Sequence, residues 1–181
     1  MEFVPTKIPD VILVKVPRFG DHRGFFMETY HAEKFGDGGI RAKFVQDNHA
    51  SSQKNILRGL HYQLKFPQGK LVRCIQGEIL DIAVDIRKSS PTFGQWVGEI
   101  LSSENARQLY VPPGFAHGYV VYSDHAEVEY KCSELYHHED DYGISWNDPE
   151  IAIDWGIENP ILSDKDKSQP LLKDVREVLF K

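Results

Sequence analysis

The sequence predicts an all-β protein built as one antiparallel sandwich or barrel of jelly-roll type. Short apolar–polar alternations recur along most of the chain, turn residues separate them, and helical periodicity is confined to two short stretches. Residues 79–87 show the alternation best, with Leu80, Ile82, Val84 and Ile86 on one face and Asp81, Ala83 and Asp85 on the other. Further strands are expected over 11–16, 40–46, 57–63, 71–75, 95–101, 108–111, 118–122 and 126–135. Turns between them are marked by Gly36-Asp37-Gly38-Gly39, Gln76-Gly77, Ser89-Ser90-Pro91, Pro112-Pro113-Gly114 and Asn147-Asp148-Pro149. One helix is expected near 29–35. A second is expected at the C-terminal end, where Leu171, Leu172, Val175, Val178 and Leu179 fit a helical stripe after Pro170.

Length and composition bound the function. At 181 residues the chain fits a single domain, 1–181, able to bury a sizeable core. With 41% hydrophobic and 12% aromatic residues it is globular, and no apolar run reaches the length of a membrane helix. A net charge of −6 argues against nucleic acid as partner, yet leaves room for a small anionic ligand held by a local cation cluster. Cys74 and Cys132 form neither a disulfide framework nor a CxxC motif and read as buried free thiols. The start Met1-Glu2-Phe3-Val4-Pro5 lacks a basic region followed by an apolar stretch, so a cytoplasmic location is expected.

The chemistry gathers in a few segments. Arg58-Gly59-Leu60-His61-Tyr62-Gln63, Gln68-Gly69-Lys70 and Gly77-Glu78 precede Pro112-Pro113-Gly114-Phe115-Ala116-His117-Gly118. This order resembles the two metal-binding motifs of a cupin, G…HxH…E…G and PxGxxH. Here Gln63 replaces the second histidine and Lys70 stands near the carboxylate position. His61 and His117 alone are too few for a stable transition-metal site, and an ammonium would repel the cation. Alternation places Ala126, Val128, Tyr130 and Cys132 on one face, Lys70 with Val72 and Cys74, and His61 with Gly59 and Gln63. If the apolar faces point inward, an imidazole, an ammonium and a phenol share one cavity and can act as base, oxyanion stabiliser and acid. A lone inward tyrosine or histidine is more often structural. An inward lysine is almost never buried without a purpose, so Lys70 is the strongest single indication. Arg23 and Arg58 could clamp phosphate or form surface salt bridges with even expectation. Phe26 and Tyr136 could stack on a ring or pack in the core. The run from His137 to Asp141 is expected to be a solvated loop and not a metal cluster.

In order from Asp21 to Asp166, the segments DHRGFF, FVQDN, LRGLHYQ, QGKLVR, SPTFG, PPGFAHG, YK, WNDP and LSDKD strongly resemble the dTDP-4-dehydrorhamnose 3,5-epimerase family, whose members are metal-independent cupins. The resemblance spans nearly the whole chain. It implies a cupin (jelly-roll) antiparallel β-barrel with short peripheral helices and an isomerase acting on a dTDP-4-keto-6-deoxyhexose without cofactor. It further implies His61 as base, Tyr130 as acid on the opposite face, Asp166 orienting His61, and Lys70 steadying the enolate. Arg23, Glu28, Gln46, Asn48, Arg58, His117 and Lys165 match family positions that contact the nucleotide sugar. Tyr136 matches the aromatic that stacks on thymine. The acid before Gly143 is glutamate in most of the family and Asp141 here, which shortens its reach. The family forms homodimers, so Arg23, Phe26 and Glu28 are expected to act in the partner's site. A relative that inverts only C3 or only C5 would share most of this pocket. A cupin that binds a sugar nucleotide without turnover would have no evident need for both a base and an opposed acid. A metal-dependent dioxygenase is disfavoured by Gln63 and Lys70.

Overall fold

Alternating short strands are realised along most of the chain, whose 181 residues are all described by a computed structural model. The strands are β1 (Glu2–Pro5), β2 (Ile12–Lys15), β3 (Phe19–Asp21), β4 (Gly24–Phe26), β5 (Gln46–Gln53), β6 (Leu57–Gln63) and β7 (Lys70–Gln76). They continue as β8 (Glu78–Asp85), β9 (Trp96–Ser102), β10 (Arg107–Val111), β11 (Phe115–Val121), β12 (His125–Cys132) and β13 (Asp141–Gly143). A six-stranded sheet in the order β1-β2-β10-β7-β12-β5 faces a five-stranded sheet in the order β13-β6-β11-β8-β9, and β3-β4 stands apart as a hairpin. All strand pairs within the three sheets are antiparallel.

The inner faces of the two sheets form the central core, where Val72, Leu109 and Val128 meet Ile79, Val97, Phe115 and Val121. The outer face of the five-stranded sheet is also covered. Leu60, Tyr62, Ile82, Val84 and Val120 pack there beneath Ile144, Trp155, Leu172 and Leu179 of the C-terminal segment. Every residue of β11 is therefore buried, as expected for a strand covered on both sides. A third cluster seats Phe35 of α1 (Ala32–Asp37) and Ile40 on the outside of the six-stranded sheet.

Four sequence expectations need correction. The first helix begins at Ala32 and not at 29, because His31 is extended and caps it by accepting the Lys34 N–H, while the Tyr30 ring packs on Phe35. The strand expected over 40–46 does not form. Its place is taken by β5, which starts at Gln46 and whose inner residues Gln46, Asn48, Ala50 and Ser52 offer no apolar alternation. The C-terminal stripe folds as two 3-10 turns, Leu172–Asp174 and Arg176–Val178. Its end is held extended by the Lys88 N–H donating to the Phe180 carbonyl at 2.9 Å, which leaves no length for an α-helix. The run at 137–141 is not simply solvated. Asp140 is fully buried and accepts the backbone N–H groups of Lys65 and Phe66 at 2.8 Å each.

Candidate active site

Strict alternation along β6 would send Arg58 and His61 to opposite faces. Both line the same cavity, because the pairing of β6 with β11 changes register between His117–His61 and Tyr119–Arg58. Two glycines allow this. Gly59 has φ +131°, and a Cβ built on it would lie 2.6 Å from Gly118 Cα. The resulting inner face carries two transverse rows across β6, β11 and β8: His61–His117–Ala83 and Arg58–Tyr119–Asp81.

His61 Nε2 lies 2.6 Å from Asp166 Oδ1. Asp166 sits in the single-turn helix α2 (Asp164–Lys167), capped by Ser163. The Ser163 hydroxyl donates to Asp166 Oδ2 at 2.8 Å and accepts the Asp166 N–H at 3.1 Å, so the carboxylate is held at both oxygens. Burial pushes the Asp166 carboxyl up, but His61, Ser163 and Lys165 outweigh it and the group stays below the usual aspartate range. An anionic Asp166 fixes the proton on Nε2 and leaves the Nδ1 lone pair for the cavity.

The opposite wall comes from the six-stranded sheet. Tyr130 on β12 and Lys70 at the start of β7 both face inward, as the parity argument expected. Burial lifts the Tyr130 phenol to about 12, so it remains a proton donor at neutral pH. Burial pushes the Lys70 ammonium down from its ordinary range, while Cys132, Asp141 and Asp81 pull it back up. Lys70 Nζ makes neither a hydrogen bond nor an ion pair within the chain.

These groups line a cavity of about 440 Å³ whose apolar wall is Ile56, Leu57, Ile161 and Leu162. It adjoins a recess of about 200 Å³ bordered by Gln46, Asn48, Gln68, Tyr136 and Asp141, which shares His61, Lys70 and Tyr130. The pair is large enough for a nucleotide-sized ligand with a buried reacting end. Gln63, standing at the missing second histidine, instead fastens the loop above. Its amide donates to the Phe66 and Leu135 carbonyls at 2.7 and 3.0 Å and accepts the His137 N–H at 2.7 Å.

With this geometry in view, comparison with known proteins is decisive. A family model described as dTDP-4-dehydrorhamnose 3,5-epimerase matches residues 5–174. The chain belongs to this family. An epimerase of that name from Shigella flexneri is 55% identical over 168 residues, covering 92% of this chain and 93% of the relative. Another from Pseudomonas aeruginosa is 53% identical over 92% of this chain and 93% of the relative. A dTDP-6-deoxy-D-glucose-3,5-epimerase from Legionella pneumophila, solved in complex with dTDP-4-keto-L-rhamnose, superposes with a TM-score of 0.96 at 47% identity, covering 99% of this chain and 97% of that one.

The positions expected from the epimerase family divide into two groups. His61, Lys70, Tyr130, Asp166, Arg58, His117 and Lys165 line the main cavity, and Gln46, Asn48, Tyr136 and Asp141 line the recess. Arg58 has no carboxylate partner; its Nε donates to Ser52 Oγ at 3.1 Å. Tyr136, half exposed at the rim, donates its hydroxyl to Asp141 Oδ2 at 2.9 Å, and Lys165 pairs with the same oxygen. The shorter acid thus fastens two neighbours. Arg23, Phe26 and Glu28 are not brought to the cavity within one chain. Arg23 pairs with Asp21 inside the β3–β4 hairpin, Glu28 pairs with Lys34, and the Phe26 ring is 71% exposed.

Three contributors escaped the sequence reading. Asp81, fully buried, lies 2.8 Å from His117 Nε2 and forms a second imidazole–carboxylate pair. The polar face of β8 therefore points into the core, against the expectation that apolar faces point inward. A carboxylate in the middle of an otherwise apolar strand was the available signal. Ser163 could have been found as the serine opening a helix. Tyr119 carried no signal, since the PPGFAHG motif ends one residue before it.

Proposed function

We propose that this chain inverts C3 and C5 of dTDP-4-dehydro-6-deoxy-D-glucose to give dTDP-4-dehydro-L-rhamnose, acting as a single domain in the cytoplasm. The observation that carries the reading is the placement of His61–Asp166 and Tyr130 on opposite sheets of one cavity, with Lys70 beside them. The C4 ketone acidifies the hydrogens on C3 and C5. His61 Nδ1 takes one of these protons, and the imidazolium that forms is stabilised by Asp166. The electron pair moves onto the ketone oxygen, where the Lys70 ammonium offsets the charge of the enolate. Tyr130 returns a proton to the opposite face and the ketone re-forms; exchange with water then resets both groups, His61 losing the proton it took and Tyr130 regaining the one it gave. The same cycle serves the second carbon. The ketone is itself the electron sink, so the reaction as drawn uses no cofactor.

Binding is assigned on the same footing. Arg58 and His117 hold the diphosphate and sugar, Gln46, Asn48, Asp141 and Lys165 line the nucleoside end, and Tyr136 stacks on thymine. In a homodimer, Arg23, Phe26 and Glu28 complete the partner's site; the exposed Phe19, Phe25 and Phe26 favour such a contact. The unpaired thiols of Cys74 and Cys132 suit a reducing compartment.

The test is proton NMR of dTDP-4-keto-6-deoxy-D-glucose with the protein in D₂O. Deuterium at both C3 and C5 is expected; deuterium at one carbon would make the enzyme a single-site epimerase, and none would refute the reading. His61→Asn should lower exchange at both carbons by about 10²–10⁴-fold. Tyr130→Phe should allow exchange while suppressing inversion, and complete loss of exchange would contradict its role as acid.

A further inference from the structure

Gly143 ends β13 in the rung of the sheet opposite His61. In the neighbouring rung Tyr62 and Tyr142 stack on the outer face, so Gly143 and His61 share the inner face that looks into the site. Cross-strand partners on one face hold their Cβ atoms about 5 Å apart, so whatever stands over Gly143 stands beside the imidazole. That place is taken by Gln169, from the turn that follows α2. A Cβ built on Gly143 would fall within 2.6 Å of Gln169 Cδ, Nε2 and Oε1 together, so the carboxamide lies flat on the glycine. The φ of Gly143 is outside the left-handed region, so this close approach, and not the backbone, calls for glycine. One residue later the same segment is anchored again, where the Ser145 N–H donates to the Pro170 carbonyl at 2.8 Å. Three residues before Gln169, Asp166 makes its bond to His61 Nε2.

Resting on the epimerase reading, in which His61 is the base, we propose that Gln169 is a positioning residue. Its carboxamide supplies the side chain that Gly143 lacks and so sets both the His61 ring and the segment that carries Asp166. The imidazole is then held on two sides. Asp166 takes its Nε2 edge, and the carboxamide fills the cross-strand slot beside it, which leaves Nδ1 to the cavity. A loose ring or a shifted segment would move Nδ1 off the substrate proton, where a displacement of one ångström costs about 10²-fold in rate. Packing performs this task, since the half-buried carboxamide makes no hydrogen bond within the chain. A helix of four residues has too little cohesion to hold Asp166 in place by itself. The contacts of Gln169 with Gly143 and of Pro170 with Ser145 seat it against the five-stranded sheet.

Gln169→Ala empties the slot. Its kcat should fall about tenfold, less than for a full ångström of misplacement, while KM and the affinity for dTDP hold. Gln169→Met refills the slot without the amide and should restore kcat. Gly143→Ala drives a methyl into the carboxamide and should lower kcat. Combined with Gln169→Ala it should be faster than either single variant, because the new Cβ then enters an empty slot. Gln169→Glu places a carboxylate beside the imidazole. Asp166 and Lys165 from α2, Asp141 from β13, His117 from β11, Lys70 from β7 and Tyr130 from β12 already surround that ring. A further anion stabilises the imidazolium, so the acidic limb of kcat/KM should move to higher pH. Wild-type kcat in Gln169→Ala, additive effects of the two alanine substitutions, or an unmoved limb in Gln169→Glu would overturn the assignment. NMR of the His61 ring protons reads the same titration without turnover. A wild type that exchanges no substrate protons would therefore sink the epimerase reading, whereas a His61 titration unshifted by Gln169→Glu would sink this placement.

Discussion

Lys70 shows how a single residue is tuned by where the fold puts it. Its ammonium sits among the inner residues of β7 with no anionic partner in contact, and burial lowers its pKa from the ordinary 10.5. On the proposed mechanism, deprotonation would remove the charge that steadies the enolate. Because the cationic form is the active one and its pKa is lowered, activity should fall as pH rises through a value below 10.5. Tyr130, at about 12, titrates later and cannot be the source of that limb. The pH profile of kcat checks this, and Lys70→Arg, which cannot deprotonate in the accessible range, should abolish the limb at reduced rate. A limb at or above 10.5 in the wild type would remove Lys70 from the role. At this scale the sequence was informative for His61, Lys70 and Tyr130, because strand parity alone turned them inward. Asp166 was not legible that way: it reaches His61 across 105 positions of chain, and only the family resemblance pointed to it.

Strands whose two faces differ in polarity were readable, and β6, β7, β9, β10 and β12 lie within a few residues of their expected spans. Elements whose faces do not differ were not. β5 presents polar residues on both sides because its inner side faces the ligand recess, and the β3–β4 hairpin is exposed throughout. The site depends most on a feature that alternation conceals, the register change between β6 and β11. Gly59→Ala would press a Cβ to 2.6 Å from Gly118 Cα and 2.9 Å from the His117 carbonyl, at a φ of +131° that side chains rarely adopt. Strands must separate to admit it, which should cost about 2–4 kcal/mol and displace Arg58 and His61 together. Urea unfolding would show the lowered midpoint, and kcat should drop with it. Gly36→Ala, in helix α1 with open space around the added carbon, should be neutral or stabilising by about 0.5–1 kcal/mol. Equal effects of the two substitutions would mean that the bulge tolerates a side chain.

At the scale of the molecule, the cavity and the hairpin pose one question. The cavity brings together Arg58, Lys70 and Lys165 in a chain of net charge −6, so the cations that receive a diphosphate are local and few. Arg23 would add another, yet within one chain it is turned to Asp21 on a hairpin bearing three exposed phenylalanines. If that hairpin completes a second subunit's cavity, each active site draws His61 from one chain and Arg23 from the other. Subunit mixing tests this arrangement directly. Arg23→Ala and His61→Asn homodimers should each be strongly impaired. After exchange of subunits, half the dimers are mixed, and in each of these one site combines the intact Arg23 of one chain with the intact His61 of its partner. Activity should therefore recover to about a quarter of the wild-type level, the fraction of sites restored by random pairing of a two-fold dimer. If Arg23 served its own chain's cavity, every site in the mixture would keep one defect and mixing would restore nothing. An Arg23→Ala homodimer with full activity would remove the hairpin from the site altogether. Recovery on mixing would tie dimerisation to catalysis, because a chain holding its own base, acid and ammonium would still depend on its partner to grip the substrate.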